Sequence, residues 1–388
     1  MRHGWRIAAV VGSIVAVGGL ALVLRTLNAA GVFSDVTPAF DGSCRTIRGV
    51  VGAEDMAIDR RTGLAFISAT DRRAPKERPS AQDGLYLFDL AHPGRGVSRI
   101  AGTPKDFHPH GIDLIRAPDG SLTLMAVNHR ADGSSTIDIF AVTESKDADG
   151  TPSVTVRERT SVRSSLIFSP NDVAAVGPNR FYVTNDHASR TEFGRMLEIY
   201  LLLPRANVVY YNGEVPRVVA DGLRYANGIA LSRDKSRLYV AETLGREIRT
   251  YDVQPVSGSL RLKSAYPLPA GLDNIDVDPA GNLWVAGHPK LFAFTKYVTD
   301  AAHPSPSEVF EVTTAAGIPR GFKLVYTGLG KRIGASSVGV ADGHTLLIGS
   351  VFDPKFVDCT MTAASAPTAE RAAGTGGPPA AAPGPHAH

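Results

Sequence analysis

The chain has 388 residues, of which 43% are hydrophobic and 20% charged, and its formal net charge is +3. These values predict a globular body with a substantial core and exclude an intrinsically disordered chain. They also argue against nucleic acid as a partner, because a nucleic-acid-binding surface needs a concentrated basic stripe.

The first thirty residues differ from the rest of the chain. Two arginines precede an uncharged run, Ile7–Leu24, which is long enough to approach the span of a bilayer. Leu27 and Asn28 occupy positions where a signal-peptidase site needs small residues. Residues 1–30 are therefore expected to form an uncleaved signal anchor in the membrane. The basic N-terminus would stay in the cytoplasm and the body would be periplasmic or extracellular, or secreted if the segment is cleaved.

Six copies of one strand–turn–strand pattern follow, at spacings of roughly 45 to 60 residues. Each copy opens with polar residues, continues with alternating apolar positions, turns at Gly, Pro, Asn or Asp, and returns as a second strand. The copies begin at Glu54, His110, Ser169, Asn227, Asp273 and Ser336. This repetition predicts an all-β, six-bladed propeller over residues 31–361.

Further strands are predicted in each copy. The third strands are Gly84–Leu90, Ser135–Val142, Asn207–Gly213, Glu247–Val253, Lys290–Tyr297 and Phe356–Met361. Candidate outer strands are Thr155–Thr160, Pro216–Gly222 and Leu260–Leu268. The segment Cys44–Val51 could provide the outer strand of the last blade and so close the ring with the two ends of the body.

The two cysteines agree with that closure. Cys44 precedes the first copy and Cys359 lies in the last strand, so a closed ring makes them neighbours. A disulfide here would persist only in an oxidising compartment. The alternative is a pair of free thiols.

Three segments interrupt or follow the repeats. The polar insertion Asp71–Gly84 is expected to be a mobile loop. The insertion Arg190–Asn207 has apolar residues at helical spacing, and its helix would either cover the channel mouth, touch a membrane, or pack on the blade tops. The Ala-, Pro- and Gly-rich tail, residues 362–388, is expected to be disordered.

The residues that open the first strands share carboxylate, amide and hydroxyl oxygens. They are Glu54–Asp55, His110–Gly111, Asn171–Asp172, Asn227–Gly228, Asp273–Asn274 and Ser336–Ser337. First strands surround the channel of a propeller, so these groups converge at one mouth, and hard oxygen ligands favour Ca²⁺. Each pair alone is an ordinary turn signal. Their recurrence at the same phase of successive copies favours a metal site.

The charges suit two ions. Glu54 and Asp273 match one divalent cation, while Asp55 and Asp172 match a second one deeper in the channel. His110 enters the same mouth, with His129 on the adjacent strand behind it. Near a metal-polarised carbonyl, His110 could act as general base toward water while His129 orients it. The alternative is that one or both are packed core histidines, and His187 and His288 are further candidates for the rim.

The motifs EDMAI, HPHGI, VNH, VGPNRFYVTNDH, ANGIALS, DNIDVDP and LWVAGHP resemble the serum paraoxonase/arylesterase family. Members are calcium-dependent six-bladed propellers that hydrolyse lactones and aryl esters. The gluconolactonase group shares the propeller but is less similar in HPHGI and TNDH. The resemblance extends, in order, from Cys44 to Cys359.

This resemblance implies a role for each matching residue. A catalytic Ca²⁺ would be held by Glu54, Asn171, Asn227, Asp273 and Asn274. A structural Ca²⁺ would be held by Asp55, Asp172 and the backbone carbonyl of Ile112. His110 and His129 match the family's histidine dyad, and Cys44 and Cys359 match its disulfide.

Two departures leave the substrate open. The loop Asp71–Gly84 lacks the aromatic residue that family members place over the site, and the helix around Met196 is shorter and less aromatic. A sugar-lactone hydrolase of the gluconolactonase kind predicts a polar pocket, whereas Leu197, Tyr200 and Tyr225 favour an apolar wall. A non-catalytic, membrane-tethered propeller that binds a ligand predicts loss of the metal residues or the histidines, and all of them are present.

Overall fold

The computed structural model describes residues 2–75 and 80–362. The rest of the predicted tail, residues 363–388, lies outside the described residues, as do residues 76–79 of the first insertion.

The chain begins with one long apolar helix, α1 (Arg2–Ala29). Val10–Ala29 is long and apolar enough to cross a membrane, and this stretch is not buried in the body. Ile14 and Val15 illustrate the point, with 65% and 68% of their surface exposed. By length and composition, this helix fits a signal anchor or a secretion signal.

Strands make up the body. The N-terminal segment contributes β1 (Ala39–Phe40) and β2 (Gly42–Arg48). The first three blades contain β3 (Ala53–Asp59), β4 (Leu64–Ala69), β5 (Gly84–Asp89), β6 (Val97–Arg99), β7 (Pro109–Arg116), β8 (Leu122–His129), β9 (Ser135–Lys146), β10 (Pro152–Val162), β11 (Pro170–Gly177), β12 (Arg180–Asn185), β13 (Ala206–Tyr211) and β14 (Pro216–Leu223). The last three contain β15 (Ala226–Leu231), β16 (Arg237–Glu242), β17 (Glu247–Val253), β18 (Leu260–Pro267), β19 (Gly271–Val277), β20 (Leu283–His288), β21 (Ser307–Ala315), β22 (Ile318–Gly328), β23 (Ser336–Asp342), β24 (Thr345–Ser350) and β25 (Lys355–Met361).

These strands form the predicted six-bladed propeller. Within each blade, neighbouring strands pair antiparallel. The first strands β3, β7, β11, β15, β19 and β23 contact one another in a ring around the axis. Their N-terminal ends therefore meet at one mouth of the channel, which is the geometry that the site prediction requires.

The two ends of the body close the ring. β2 pairs antiparallel with β25 as the outer strand of the sixth blade, so Cys44 lies opposite Cys359. The two residues form a disulfide, as predicted. The sequence pattern missed a second contribution, because β1 pairs with β22 and adds a fifth strand to the fifth blade.

Apolar residues between adjacent blades make the core. At the closure, for example, Phe88 of the first blade packs edge-on against Phe356 of the sixth, with ring centroids 5.2 Å apart. Both side chains are fully buried. The same arrangement recurs at each blade junction, so the ring is held by apolar contacts as well as by the disulfide.

One predicted strand is wrong. Lys290–Tyr297 was expected to be the third strand of the fifth blade, but Leu291–Thr299 is a helix, α3, and β21 is the third strand. Phe294 and Tyr297 lie one turn apart and both contact Phe352, which a strand could not arrange. The helix predicted within the insertion Arg190–Asn207 is present as α2, which spans Glu192–Tyr200 and is shorter than the insertion.

The first insertion is anchored where the structure describes it. The Asp71 amide donates to Asp83 Oδ1 at 2.8 Å. Arg73 lies 4.4 Å from the ring centre of Tyr297 and 4.7 Å from that of Phe352, and donates to the carbonyl of each. This arginine ties the first blade's insertion to α3 and to the sixth blade.

We expect Arg73→Met to lower the free energy of unfolding by about 1–3 kcal/mol, because it removes two cation–π contacts and charged hydrogen bonds. Urea denaturation measures the change. Arg95→Met is the matched control, since Arg95 is exposed and its ion pair is with Asp89 on the surface of the first blade, so its effect should stay below about 0.5 kcal/mol. Equal stability of the two variants would contradict the anchoring role.

Candidate functional site

A cavity of about 290 Å³ lies at the mouth where the first strands begin. Its polar lining comes from Glu54, Arg72, His110, Asn171, Asn227, Thr243, Asp273, His288 and Thr295. Its apolar lining comes from Ile199, Tyr225, Leu244, Leu291, Phe294 and Val351. The structure thus brings four of the five residues predicted for the catalytic ion into one cavity, and the fifth, Asn274, donates to Glu54 Oε1 at 3.0 Å.

Four of these five residues carry a buried oxygen that lacks a hydrogen-bond partner in the part of the chain that the structure describes. The atoms are Glu54 Oε2, Asn171 Oδ1, Asn227 Oδ1 and Asn274 Oδ1. Leaving a buried acceptor unsatisfied costs about 1–3 kcal/mol, and proteins rarely accumulate such groups in one place. A cation shared among them would satisfy all four.

The amide groups are held so that their oxygens stay free. Asn227 Nδ2 donates to Thr243 Oγ1 at 3.1 Å, and Asn274 Nδ2 donates to the side chain of Glu54. On the other side of the site, Asp273 Oδ2 contacts His288 Nε2 at 2.8 Å. The side-chain nitrogens of Asn227 and Asn274 are therefore bound within the protein, which leaves their side-chain oxygens for a ligand.

Two glycines allow neighbouring first strands to approach closely. A Cβ at Gly111 would lie 2.2 Å from Asp172 Oδ1, and one at Gly228 would lie 2.6 Å from the Asn274 Cα. Any side chain at either position would push the ligand-bearing strands apart. This accounts physically for the His-Gly and Asn-Gly pairs of the repeat.

The inner set also comes together. Asp55, Ile112 and Asp172 line a second cavity further along the channel, of about 220 Å³. Asp55 Oδ2 accepts the Ile112 amide at 2.7 Å, and Asp172 Oδ2 accepts the Ile229 amide at 2.8 Å. Burial, added to the negative charge of neighbouring carboxylates, raises the pKa of both aspartates well above the ordinary value. A cation between them would remove this repulsion.

Within residues 2–75 and 80–362, no three His, Cys, Asp or Glu side chains are grouped as a metal site. The predicted catalytic set has only two such residues, Glu54 and Asp273, and relies on amide oxygens for the rest. That composition fits Ca²⁺, which accepts neutral carbonyl oxygens readily, better than Zn²⁺, which takes nitrogen and sulfur ligands.

The two predicted histidines form a relay. His110 Nδ1 lies 2.9 Å from His129 Nε2, and His129 Nδ1 lies 3.0 Å from Ser135 Oγ. At the other end, His110 Nε2 lies 3.5 Å from Glu54 Oε1. Burial, reinforced by His110, lowers the pKa of His129 to about 3, so this inner imidazole is neutral. Neither histidine is an isolated core residue.

Sequence reasoning missed Arg72 and Ser135. Arg72 lay within an insertion expected to be a mobile loop, and Ser135 opens a third strand, where no functional residue was sought. The apolar wall was only partly right. Tyr225 lines the cavity, whereas Leu197 and Tyr200 lie on the outer face of α2 with 39% and 51% of their surface exposed.

Of the two histidines predicted as further candidates for the rim, His288 lines the cavity. His187 stands behind it, with its ring 4.9 Å from that of Tyr225 and Nδ1 2.8 Å from Asp186 Oδ1.

Comparison with known proteins gives consistent results. The arylesterase family model matches residues 36–361. Serum paraoxonase/arylesterase 1 of Rattus norvegicus is 34% identical over 330 residues, which cover 82% of this chain and 89% of the rat protein. Serum paraoxonase/arylesterase 2 of Homo sapiens is 33% identical over 88% of this chain and 98% of its own length. Among solved structures, a luciferin-regenerating enzyme is 15% identical, covers 83% of this chain and 95% of its own, and has a TM-score of 0.49.

Proposed function

This chain belongs to the arylesterase family and is a hydrolase of esters or lactones, and we propose that it works as a calcium-dependent hydrolase with a histidine base. One observation carries the proposal. Among the described residues, Glu54, Asn171 and Asn227 each bring a buried oxygen without a partner to the cavity that Asp273 also lines, and Asn274 carries a fourth such oxygen beside Glu54. Two ions are proposed, an outer catalytic one and an inner structural one held by Asp55, Asp172 and the Ile112 carbonyl.

A bound Ca²⁺ would polarise the ester carbonyl and stabilise the negative charge that develops on its oxygen. Glu54, Asn171, Asn227, Asp273 and Asn274 would hold it. The aspartate also contacts His288, and that contact fixes the orientation of its carboxyl group. The apolar lining, which includes Leu291 and Phe294, would exclude bulk water from the reacting ester.

The histidine relay supplies the base. When His129 carries its proton on Nδ1 and donates a hydrogen bond to Ser135 Oγ, His129 Nε2 is free to accept a hydrogen bond from His110 Nδ1–H. This tautomer leaves His110 Nε2 unprotonated, so that it can take a proton from an attacking water. His129 then stabilises the resulting imidazolium through the same hydrogen bond. In this proposal His110 is the general base and His129 orients it.

We expect His110→Gln to lower kcat for lactones and phenyl acetate by about 100- to 10,000-fold, the usual contribution of a positioned base. His92→Gln is the control, because the His92 side chain is exposed, pairs with Asp89 in the first blade and does not line the cavity. Calorimetric melting of both variants would verify that the fold persists. Unchanged turnover in a folded His110→Gln protein would remove this histidine from the mechanism.

We also propose that α1 anchors the protein with the cavity facing the membrane. Thr26 Oγ1 of α1 donates to the Tyr200 carbonyl of α2 at 3.0 Å, and the Leu291 amide of α3 donates to the Ala30 carbonyl at 2.9 Å. The base of the anchor therefore adjoins both helices that contribute to the cavity wall. Phe193 of α2, with 71% of its surface exposed, would lie at the lipid surface.

The physiological substrate is open to a direct test. Lactones with acyl chains of increasing length should be hydrolysed better than a sugar lactone, because one wall of the cavity is apolar. A marked preference for the sugar lactone would instead favour the gluconolactonase-like activity. Absence of turnover for every ester and lactone, with calcium bound, would favour a ligand-binding propeller.

A further inference from the structure

Arg72 places a buried positive charge in the cavity that the mechanism above does not use. Its side chain is only 19% exposed, and Nη2 is buried without a hydrogen-bond partner among residues 2–75 and 80–362. In the part of the chain that the structure describes, the nearest carboxylate oxygen is Glu54 Oε2 at 4.0 Å, which is too far for a hydrogen bond. Nη1 donates to the Thr70 carbonyl at 3.4 Å, and this contact fixes the direction of the side chain. The guanidinium is therefore held in the cavity with donor capacity to spare.

The charge of the cavity indicates what this donor would bind. The argument rests on the proposed function, in which Glu54 and Asp273 neutralise the two charges of the outer ion. Asp186, a further carboxylate nearby, already contacts His187 and Ser169. Within the described residues, the Arg72 Nη2 donor then keeps no carboxylate partner of its own in a partly desolvated site. An anionic group would accept from it, whereas a neutral apolar substrate would leave the guanidinium unsatisfied.

We propose that Arg72 is a specificity-determining residue that binds a carboxylate carried by the substrate. The preferred substrates would be esters or lactones with a carboxylate away from the reacting carbonyl. A planar guanidinium suits a carboxylate because it can donate two parallel hydrogen bonds. The apolar residues Leu244, Leu291 and Phe294 would contact the hydrocarbon between the two groups.

Pairs of aryl esters with nearly equal shape but different charge test the proposal. 4-Acetoxybenzoate carries a carboxylate where 4-acetoxybenzamide carries a neutral amide, and the 3-substituted pair covers a second spacing. For at least one pair, wild-type protein should prefer the anion by at least about tenfold in kcat/KM. Arg72→Met should lower that preference by about 10- to 100-fold, and Arg72→Lys should retain part of it. Arg157→Met, an equal charge change on the exposed outer strand β10, should retain the full preference.

Binding without turnover provides an independent readout. Calorimetric titration of the calcium-loaded protein with the corresponding hydroxybenzoates and hydroxybenzamides should show tighter binding of the anion in wild type and equal binding in Arg72→Met. A preference for the anion that survives in Arg72→Met would assign it to the metal ion and overturn the proposal. Equal kcat/KM and equal binding of the anion and the amide by wild type would also overturn the proposal. Loss of all ester turnover would count against the proposed function alone, because the titration still tests Arg72.

Discussion

Glu54→Gln should reduce kcat/KM for phenyl acetate by at least about 1000-fold, since several kcal/mol of transition-state stabilisation depend on the outer ion. The substitution removes one of the two negative charges that balance a divalent cation. It also changes both oxygens of the side chain. Among the described residues Glu54 Oε2 is buried without a partner, and Glu54 Oε1 accepts a hydrogen bond from Asn274. Because glutamine has nearly the same size, the loss would report on charge and ligation, with little effect from packing.

Glu247→Gln is the matched control for this prediction. Glu247 makes an ion pair with Arg249 on a strand of the fourth blade and does not line the cavity. The same chemical change there should leave kcat/KM within about twofold of wild type, as expected for a surface ion pair. Glu54→Gln should also bind one calcium ion fewer per chain. A folded Glu54→Gln protein with full calcium content and normal turnover would contradict the assignment.

Removal of the disulfide should produce the largest change in stability. Cys44 and Cys359 are 315 residues apart in sequence, so their bond constrains nearly the whole unfolded chain. The chain-entropy model gives about 5 kcal/mol as an upper figure for so long a loop, and measured values for native disulfides are typically about 2–5 kcal/mol. We expect the double variant Cys44→Ala, Cys359→Ala to lose a free energy of unfolding in that range.

Urea denaturation with calcium present measures this change, and wild type reduced by dithiothreitol should lose a similar amount. The location of the bond explains the expectation. Its two strands, β2 and β25, hold the first and last parts of the ring together, and opening them would expose the core around Phe356. A double variant as stable as wild type would mean that the apolar blade junctions alone keep the ring closed.

The repeat made most of the fold predictable from sequence. Alternating apolar positions with polar openings and tight turns recur six times, and that periodicity predicts both the blades and the ring of first strands. The positions of Glu54, Asn171, Asn227 and Asp273 follow directly, because each occupies the same phase of its own blade. Their lining of one cavity is thus a consequence of the repeat.

The features that the repeat does not control were harder to predict. α3 contains Leu291, Phe292 and Phe294, a short apolar run that fits a strand as well as a helix, and tertiary contact with Phe352 decides between them. Arg72 belongs to an insertion whose polar sequence suggested mobility, whereas the packing of Arg73 beside it shows that this described part of the insertion is anchored. Contacts between distant segments have no signature in local sequence.

Calcium content measured together with activity tests the central claim most directly. Purified protein, passed through calcium-free buffer, should retain two calcium ions per chain and hydrolyse phenyl acetate. Treatment with a chelator should remove the outer ion first and abolish turnover, and added Ca²⁺ should restore it while the fold is intact. Full activity in protein shown by elemental analysis to contain no calcium would contradict the account.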